Sequence, residues 1–523
     1  MVLDQSNSMN FDSGIGPGIE REDVLKFSAP TAVVVLEDEN AMAVCSFDQD
    51  AHPSIGITPA VGVGKFTINA AIAGYSPNPN GWTSIGEGVA FAHGILDPVT
   101  GYDVKAMVVL TDGQENHGPY TRRYIADVAD LITSLNGRVF AIGLGRAEVL
   151  NATALQALCD GNNGYMQMTG DLTPDATYRL AKYYQQIFAG VTNNEIVLDP
   201  EGFIGLGQEH RIPFWLNEAD ITAKGILLTP IPYAIRYVLE TPDGDIIDPA
   251  VAGAHPVASF EVGSGVSLYR VGLPIPLGPN NAHAGRWYAR LKVDEKIYKR
   301  YLASLYGTPA AHGIRYSLNV HAYSNLRMRA TLAQTSNEPG ATITVRAVLT
   351  EYGVPVAARA TCRAELTRPD NTGATLAMAE VEPGVFEAMT PALLAGVYCF
   401  RIVAEGRTLR GRPFTREQTL TGAVWKGGDN PPPSSKDDPN ARDDRFCRLI
   451  NCLLRQKSIQ EALRKAEISA DELRRCLEDY WRKPSPGQPP HVMRPTFYDR
   501  LRAIIRDDHV LETVMREIER ETE

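Results

Sequence analysis

From residue 1 to about residue 192, apolar stretches of strand length alternate with amphipathic stretches of helix length. No other feature restricts the chain as much, because strand–helix–strand order predicts a parallel sheet with helices on its faces. Residues 41–47, 104–110 and 138–143 read as buried strands, and 165–168 as a short one. The stretches from Glu20 onward, 66–73, 85–96, 120–135, 151–159 and 175–191 read as helices. In such sheets, ligands collect beyond the carboxyl ends of the strands.

Three loops are expected to share that edge. Asp4-x-Ser6-x-Ser8 leaves the tip of the strand that Val2-Leu3 ends, Thr83 stands in Gly81-Trp82-Thr83-Ser84, and Asp112 closes a strand in Thr111-Asp112-Gly113. A carboxylate and two hydroxyls at alternate positions of one turn direct their oxygens to a common centre. Hard oxygen ligands of low net charge suit Mg²⁺, which keeps octahedral geometry and several waters; Ca²⁺ and Mn²⁺ are the alternatives. Taken singly, each residue is what any turn or helix cap carries. Taken together in this order and strand–loop–helix setting, they resemble the metal-ion-dependent adhesion site of the von Willebrand factor type A domain, and the similarity covers residues 1–192.

That resemblance implies a Rossmann-like α/β domain and a role for each residue. Ser6 and Ser8 would bind the metal through their hydroxyls, and Thr83 directly or through water. Asp4 and Asp112 would hold coordinating waters. One position stays open, which in this family a Glu or Asp of a partner protein commonly fills. The implied chemistry is binding rather than turnover, so the chain is expected to be a non-enzymatic, adhesion-type protein with a carboxylate-bearing protein ligand. In switching members of the family the last helix, here 175–191, moves on ligation. The strand ending at Asp4 has two or three residues before it, where strands usually run about five or six. A central strand cut short, with a true start upstream, is the expectation.

Beyond residue 192 the rhythm changes. Alternating runs separated by turns such as Thr241-Pro-Asp-Gly-Asp245 predict a β-sandwich over 194–310 and a second over 315–425. The stretch 395–406 resembles the penultimate strand of an immunoglobulin- or fibronectin-like domain. A type A domain followed by β-sandwiches resembles the calcium-activated chloride channel regulator family and its bacterial relatives. That family carries a metalloprotease helix of H-E-x-x-H pattern, which none of the ten histidines here forms. Residues 427–442 read as a polar linker, and 443–523 as an all-α tail with capping boxes at Ser458-x-x-Glu461 and Ser469-x-x-Glu472. The tail is expected to dock a partner or a second copy.

A formal charge of -11 argues against nucleic acid as the main partner, and no run of 18 apolar residues is present to span a membrane. Among seven cysteines the closest candidates for a pair are Cys362 and Cys399. Alternation turns Cys362 inward and Cys399 outward, so all seven read as thiols. This leans towards a cytoplasmic setting, or an extracellular one if an export signal precedes Met1. An intracellular scaffold or assembly subunit is the second functional reading, and a fragment of a larger protease-containing protein the third.

Overall fold

In the computed structural model, the described residues are 1–115, 123–128, 131–132, 137–150, 152–278, 281–304 and 313–429. The expected tail at 443–523, most of the linker, and half of the helix expected at 120–135 lie outside them. The first part comprises β1 (Val2–Asp4), α1 (Arg21–Val35), β2 (Ala41–Phe47), β3 (Ala51–Pro59), α2 (Val63–Ala73), α3 (Ile85–Leu96), β4 (Ala106–Thr111), β5 (Arg138–Gly143), α4 (Ala152–Asp160), β6 (Met166–Met168) and α5 (Arg179–Val191). These strands form one six-stranded sheet in the order β3-β2-β1-β4-β5-β6. β1 lies parallel between β2 and β4, with Val2 opposite both Cys45 and Val109.

The sheet is mixed rather than wholly parallel, because β3 returns antiparallel to β2. The sequence reading missed β3 because Pro53 and Gly56 break its pattern. An edge strand tolerates both, having one side of its backbone unpaired. The inner strands are apolar throughout because both faces are covered. Leu3, Val108, Leu110 and Phe140 face α1 and α5. Val2, Met107, Val109 and Val139 face α3 and α4.

The second part contains β7 (Asn194–Leu198), β8 (Glu201–Ile204), β9 (Glu209–Leu216), β10 (Asp220–Leu228), β11 (Ile235–Glu240), β12 (Ile246–Ile247), β13 (Ala258–Gly263), β14 (Val266–Gly272), β15 (Gly285–Val293), β16 (Ile314–Ser324), β17 (Leu326–Gln334), β18 (Ala341–Glu351), β19 (Val354–Pro355), β20 (Ala360–Thr367), β21 (Gly373–Glu382), β22 (Val385–Ala392), β23 (Gly396–Arg407) and β24 (Pro413–Val424). One long sheet runs β13-β14-β10-β16-β7-β24-β23-β20-β21-β22-β18-β17, and a four-stranded sheet runs β12-β11-β15-β9. A core of Leu227, Tyr237, Tyr269, Trp287 and Leu318 fills the space between the two sheets. Further along, β21 pairs with β20 through its first part and with β22 through its end. The long sheet thereby folds over a second core of Ile343, Val345, Phe400, Ile402 and Phe414.

β16, which the sequence reading placed in the second sandwich, completes the first layer pair. It is antiparallel to β10 along its length, and its Leu318, Val320 and Ala322 enter the first core. β7 then bridges β16 to β24, so a single sheet passes through both regions. β10 itself went unread because Lys224 and Gly225 interrupt its apolar run. Lys224 is buried, with its ammonium on the Val35 carbonyl at 3.3 Å and on the Glu37 carboxylate.

The first part and the β-layers share their cores. Ile226, Leu228, Val266 and Leu268, on β10 and β14, pack in one cluster with Val24, Leu25, Leu180 and Ile187 of α1 and α5. Cys399 confirms this from the other side. It faces away from Phe400 and Ile402, towards Tyr183 of α5, and is half-buried. Cys399 sits opposite Thr367 whereas Cys362 sits opposite Ala404, so the two thiols are well separated along paired strands.

Where β10, β16, β17 and β24 meet, the fully buried Arg416 donates to the carbonyls of Leu326 (2.9 Å) and Thr415 (2.8 Å), to Ser324 Oγ (2.8 Å) and to Asp220 Oδ1 (2.7 Å). Asp220 accepts in turn from the Asn217 amide at 2.7 Å. Removing one partner of such a pair leaves an uncompensated buried charge, which costs about 3–5 kcal/mol. Arg416→Ala is therefore expected to lose about that much in urea unfolding, and a loss below about 1 kcal/mol would refute the assignment. Nearby, burial pushes Glu417 up to about 7, against the pull of Arg401. Its folded value lies above its unfolded one, so its contribution is intact below about pH 4.5 and is lost as pH rises through 7. Denaturation of Glu417→Gln between about pH 5 and 8 should show a flatter decline than wild type; parallel curves would contradict this.

Candidate metal centre

Parallel pairing of β1 with both neighbours brings the carboxyl ends of β1, β2 and β4 to one edge of the sheet. Asp4 ends β1, Asp48 follows β2, and Asp112 follows β4. After Asp4 the chain makes a 3₁₀ turn over Asn7–Asn10, anchored by the fully buried Met9. The loop carrying Thr83 is tied to this turn by two backbone bonds, Asn7 N to Gly81 O at 3.1 Å and Asn78 N to Gln5 O at 2.7 Å. It is tied to the end of β2 by Ser84 N to Asp48 O at 2.9 Å.

All five residues singled out in the sequence come together. Ser6 and Ser8 place their hydroxyl oxygens 3.0 Å apart, and the Ser8 hydroxyl donates to Asp112 Oδ1 at 2.6 Å. Asp4 accepts from the Ser6 amide at 2.9 Å and from the Thr111 hydroxyl at 2.6 Å, while Tyr75 donates to its carbonyl. Thr83 closes the group. A methyl placed on Gly113 would lie 3.7 Å from Thr83 Oγ1 and 3.8 Å from Ser8 Oγ, so both hydroxyls line the same small space. Asp4, Ser6, Thr83 and Asp112 are buried, and Ser8 is half-buried.

The electrostatics suit a cation. Burial and then the charge of Asp112 push the Asp4 carboxyl well above its usual range. Burial raises the Asp112 carboxyl too, against hydrogen bonds from Ser8 and Arg21 that hold it down. Two carboxylates drawn together out of water destabilise each other's charged forms, and a positive ion between the loops relieves both. The donor set therefore fits a hard divalent ion. With its proton committed to Asp112, Ser8 keeps oxygen lone pairs for a metal. Among the described residues, no three His, Cys, Asp or Glu side chains are grouped to hold a metal ion. This centre rests on hydroxyls instead.

Several supporting residues escaped the sequence reading. Arg21, at the start of α1, sits 2.5 Å from Asp112 Oδ2. No local signal announces it, because the pair is separated by 91 positions. Asp48, just past the end of β2, is almost fully buried. It accepts from Asn78 (2.8 Å) and the Asp50 amide (2.9 Å), and lies 2.9 Å from His52 Nε2. Its position at the end of a buried strand was the available clue. Unpaired donors left by Asp48→Ala are expected to lower stability by about 1–3 kcal/mol. Amide exchange should quicken across 78–84, even in EDTA; exchange unchanged there would show that Asp48 does not hold the Thr83 loop.

Residues 1–176 match the von Willebrand factor type A domain. Solved structures similar to this chain include a von Willebrand factor type A protein from Catenulispora acidiphila, at 13% identity over 92% of this chain and 77% of that one, with a TM-score of 0.30. Proximal thread matrix protein 1 from the mussel byssus, with a zinc-occupied MIDAS motif, is 21% identical over 39% of this chain and 49% of its own, at a TM-score of 0.30. The PilB minor pilin from Streptococcus sanguinis is 16% identical over 36% of this chain and 60% of its own, at 0.29. This chain thus covers less than two thirds of the mussel and streptococcal proteins. No curated protein matches. The N-terminal α/β region is a type A domain, joined to large antiparallel sheets.

Proposed function

We propose that the type A domain carries an intact metal-ion-dependent adhesion site and that the protein binds a partner through it. Type A domains generally mediate metal-dependent protein interactions, and the observation that carries the reading here is the convergence of Ser6, Ser8, Thr83, Asp4 and Asp112 on one space. Ser6 and Ser8 would hold Mg²⁺ through their hydroxyls, and Thr83 directly or through water. Asp4 and Asp112 would orient coordinating waters from behind. Mg²⁺ supplies a positive charge with one exchangeable position. The partner's contribution is an Asp or Glu side chain, whose full charge complements a centre built largely of neutral oxygens. Three hydroxyls favour binding over turnover, so we read the protein as non-catalytic.

The order of a type A domain followed by antiparallel layers supports a likeness to the calcium-activated chloride channel regulators and their bacterial relatives, without the protease. On this reading the layers are immunoglobulin-like modules that present the site. One observation favours the scaffold alternative: the type A helices and the β-layers share a core, so the domain is built into a larger body rather than carried on a tether.

Mg²⁺ titrated calorimetrically into wild type is expected to bind at one site, and Ser6→Ala and Asp112→Ala each to weaken it by about 10- to 100-fold, the first by losing a ligand and the second by losing a group that orients the waters. Mg²⁺ binding that persists in both variants would overturn the assignment.

A further inference from the structure

Arg21 brings a positive charge into the space where the cation would sit. Its Nη1 donates to Asp112 Oδ2 at 2.5 Å while Ser8 donates to Oδ1 at 2.6 Å, so both oxygens of that carboxylate are engaged. The arginine is held in place from two sides. Its guanidinium carbon lies 5.9 Å from the centroid of the Phe11 ring, and its backbone amide donates to the Phe11 carbonyl at 3.0 Å. The Asp112 side chain is wholly buried and that of Arg21 is 23% exposed, so the pair lies at the edge of the solvent.

Resting on the Mg²⁺ reading above, we propose that Arg21 is an internal counter-cation that sets the metal affinity of the centre. Asp4 and Asp112 together carry two negative charges when ionised, and Arg21 returns one positive charge. A divalent ion entering among the hydroxyls therefore meets one net negative charge instead of two. It is also repelled by the guanidinium. A unit charge a few ångströms from a divalent ion changes its affinity by roughly tenfold at the high effective dielectric of a partly exposed site. An acidic side chain arriving with the partner replaces the charge that Arg21 cancels. Metal and acidic ligand then bind cooperatively, each raising the affinity for the other by the same factor. The centre is loaded weakly alone and firmly in the complex.

The test is calorimetric titration of Mg²⁺ into the full chain, as wild type, Arg21→Lys, Arg21→Gln and Arg21→Met, with Ser6→Ala alongside. Arg21→Gln and Arg21→Met are expected to bind Mg²⁺ about tenfold more tightly than wild type, and Arg21→Lys, which keeps the charge, within about threefold of it. Melting supplies a second readout. In EDTA the neutral variants should melt below wild type, because Asp112 is left buried without its partner, and Mg²⁺ should raise their melting temperature by the larger increment. The two neutral side chains differ in shape and polarity, so a folding defect in one leaves the other to decide. Folded neutral variants that bind Mg²⁺ no more tightly than wild type overturn the role of Arg21. If Ser6→Ala abolishes binding in the same experiment, the metal reading survives that result. Mg²⁺ binding unaffected by Ser6→Ala overturns the metal reading instead.

Discussion

The described structure depends on one apolar layer, the helices α1 and α5 held between two sheets. On one side Leu3, Val108, Leu110 and Phe140 of the type A sheet press against them, and on the other Ile226, Leu228, Val266 and Leu268 of the β-layers. Burial of apolar area on both faces of a helix is the largest favourable term available to it. It also leaves neither helix a solvent face broad enough to move across. Charged groups finish what the apolar contacts begin. Arg270 donates to the Leu36 carbonyl at 2.9 Å and Lys224 to that of Val35 at 3.3 Å, placing two cations from β14 and β10 at the C-terminal end of α1. The other end of α1 carries Arg21. The same helix thus reaches from the β-layers to the candidate metal centre.

α5 is fastened still more firmly. Lys182 bridges Asp199 at 2.6 Å and Glu201 at 2.9 Å, and Gln185 accepts from Asn319 at 2.8 Å. Gln186 exchanges two 2.7 Å bonds with the backbone of Thr419. This is the helix whose movement would accompany ligation in switching relatives. Sliding it here by one turn would break side-chain bonds to Asp199, β8, β16 and β24 together and leave the half-buried Lys182 without its carboxylates, a severe cost. These contacts hold α5 in the position it occupies against the β-layers.

Much of this was legible in the sequence, and what was not has specific causes. The strands 41–47 and 138–143 and the helix 85–96 stand where their patterns put them, because each is continuous and ends in a clear turn or cap. The five residues that lie at one edge of the sheet drew attention because each stands in a short motif at a strand end. β3 was hidden by Pro53 and Gly56, and β10 by Lys224, whose partner Glu37 lies on another element. β16 alternates as any sandwich strand does, and only its pairing with β10 places it beside the first layers. Arg21 and Arg416 share a single reason for escaping notice. Each is a charge whose meaning comes from a partner distant in sequence.

Asp4 and Asp112 show how the centre and the fold constrain each other. Both carboxylates are buried at the end of a sheet, where neither would ionise easily alone. The fold supplies a donor to each oxygen in turn: the Ser6 amide and Thr111 hydroxyl to Asp4, and the Ser8 hydroxyl and Arg21 guanidinium to Asp112. Three of these four donors are neutral and local to the loops. Only Arg21 is a full charge, and it comes from the helix that the β-layers clamp at its far end. With α1 fixed at both ends, the charge of Asp112 is answered from a helix rather than from its own loop.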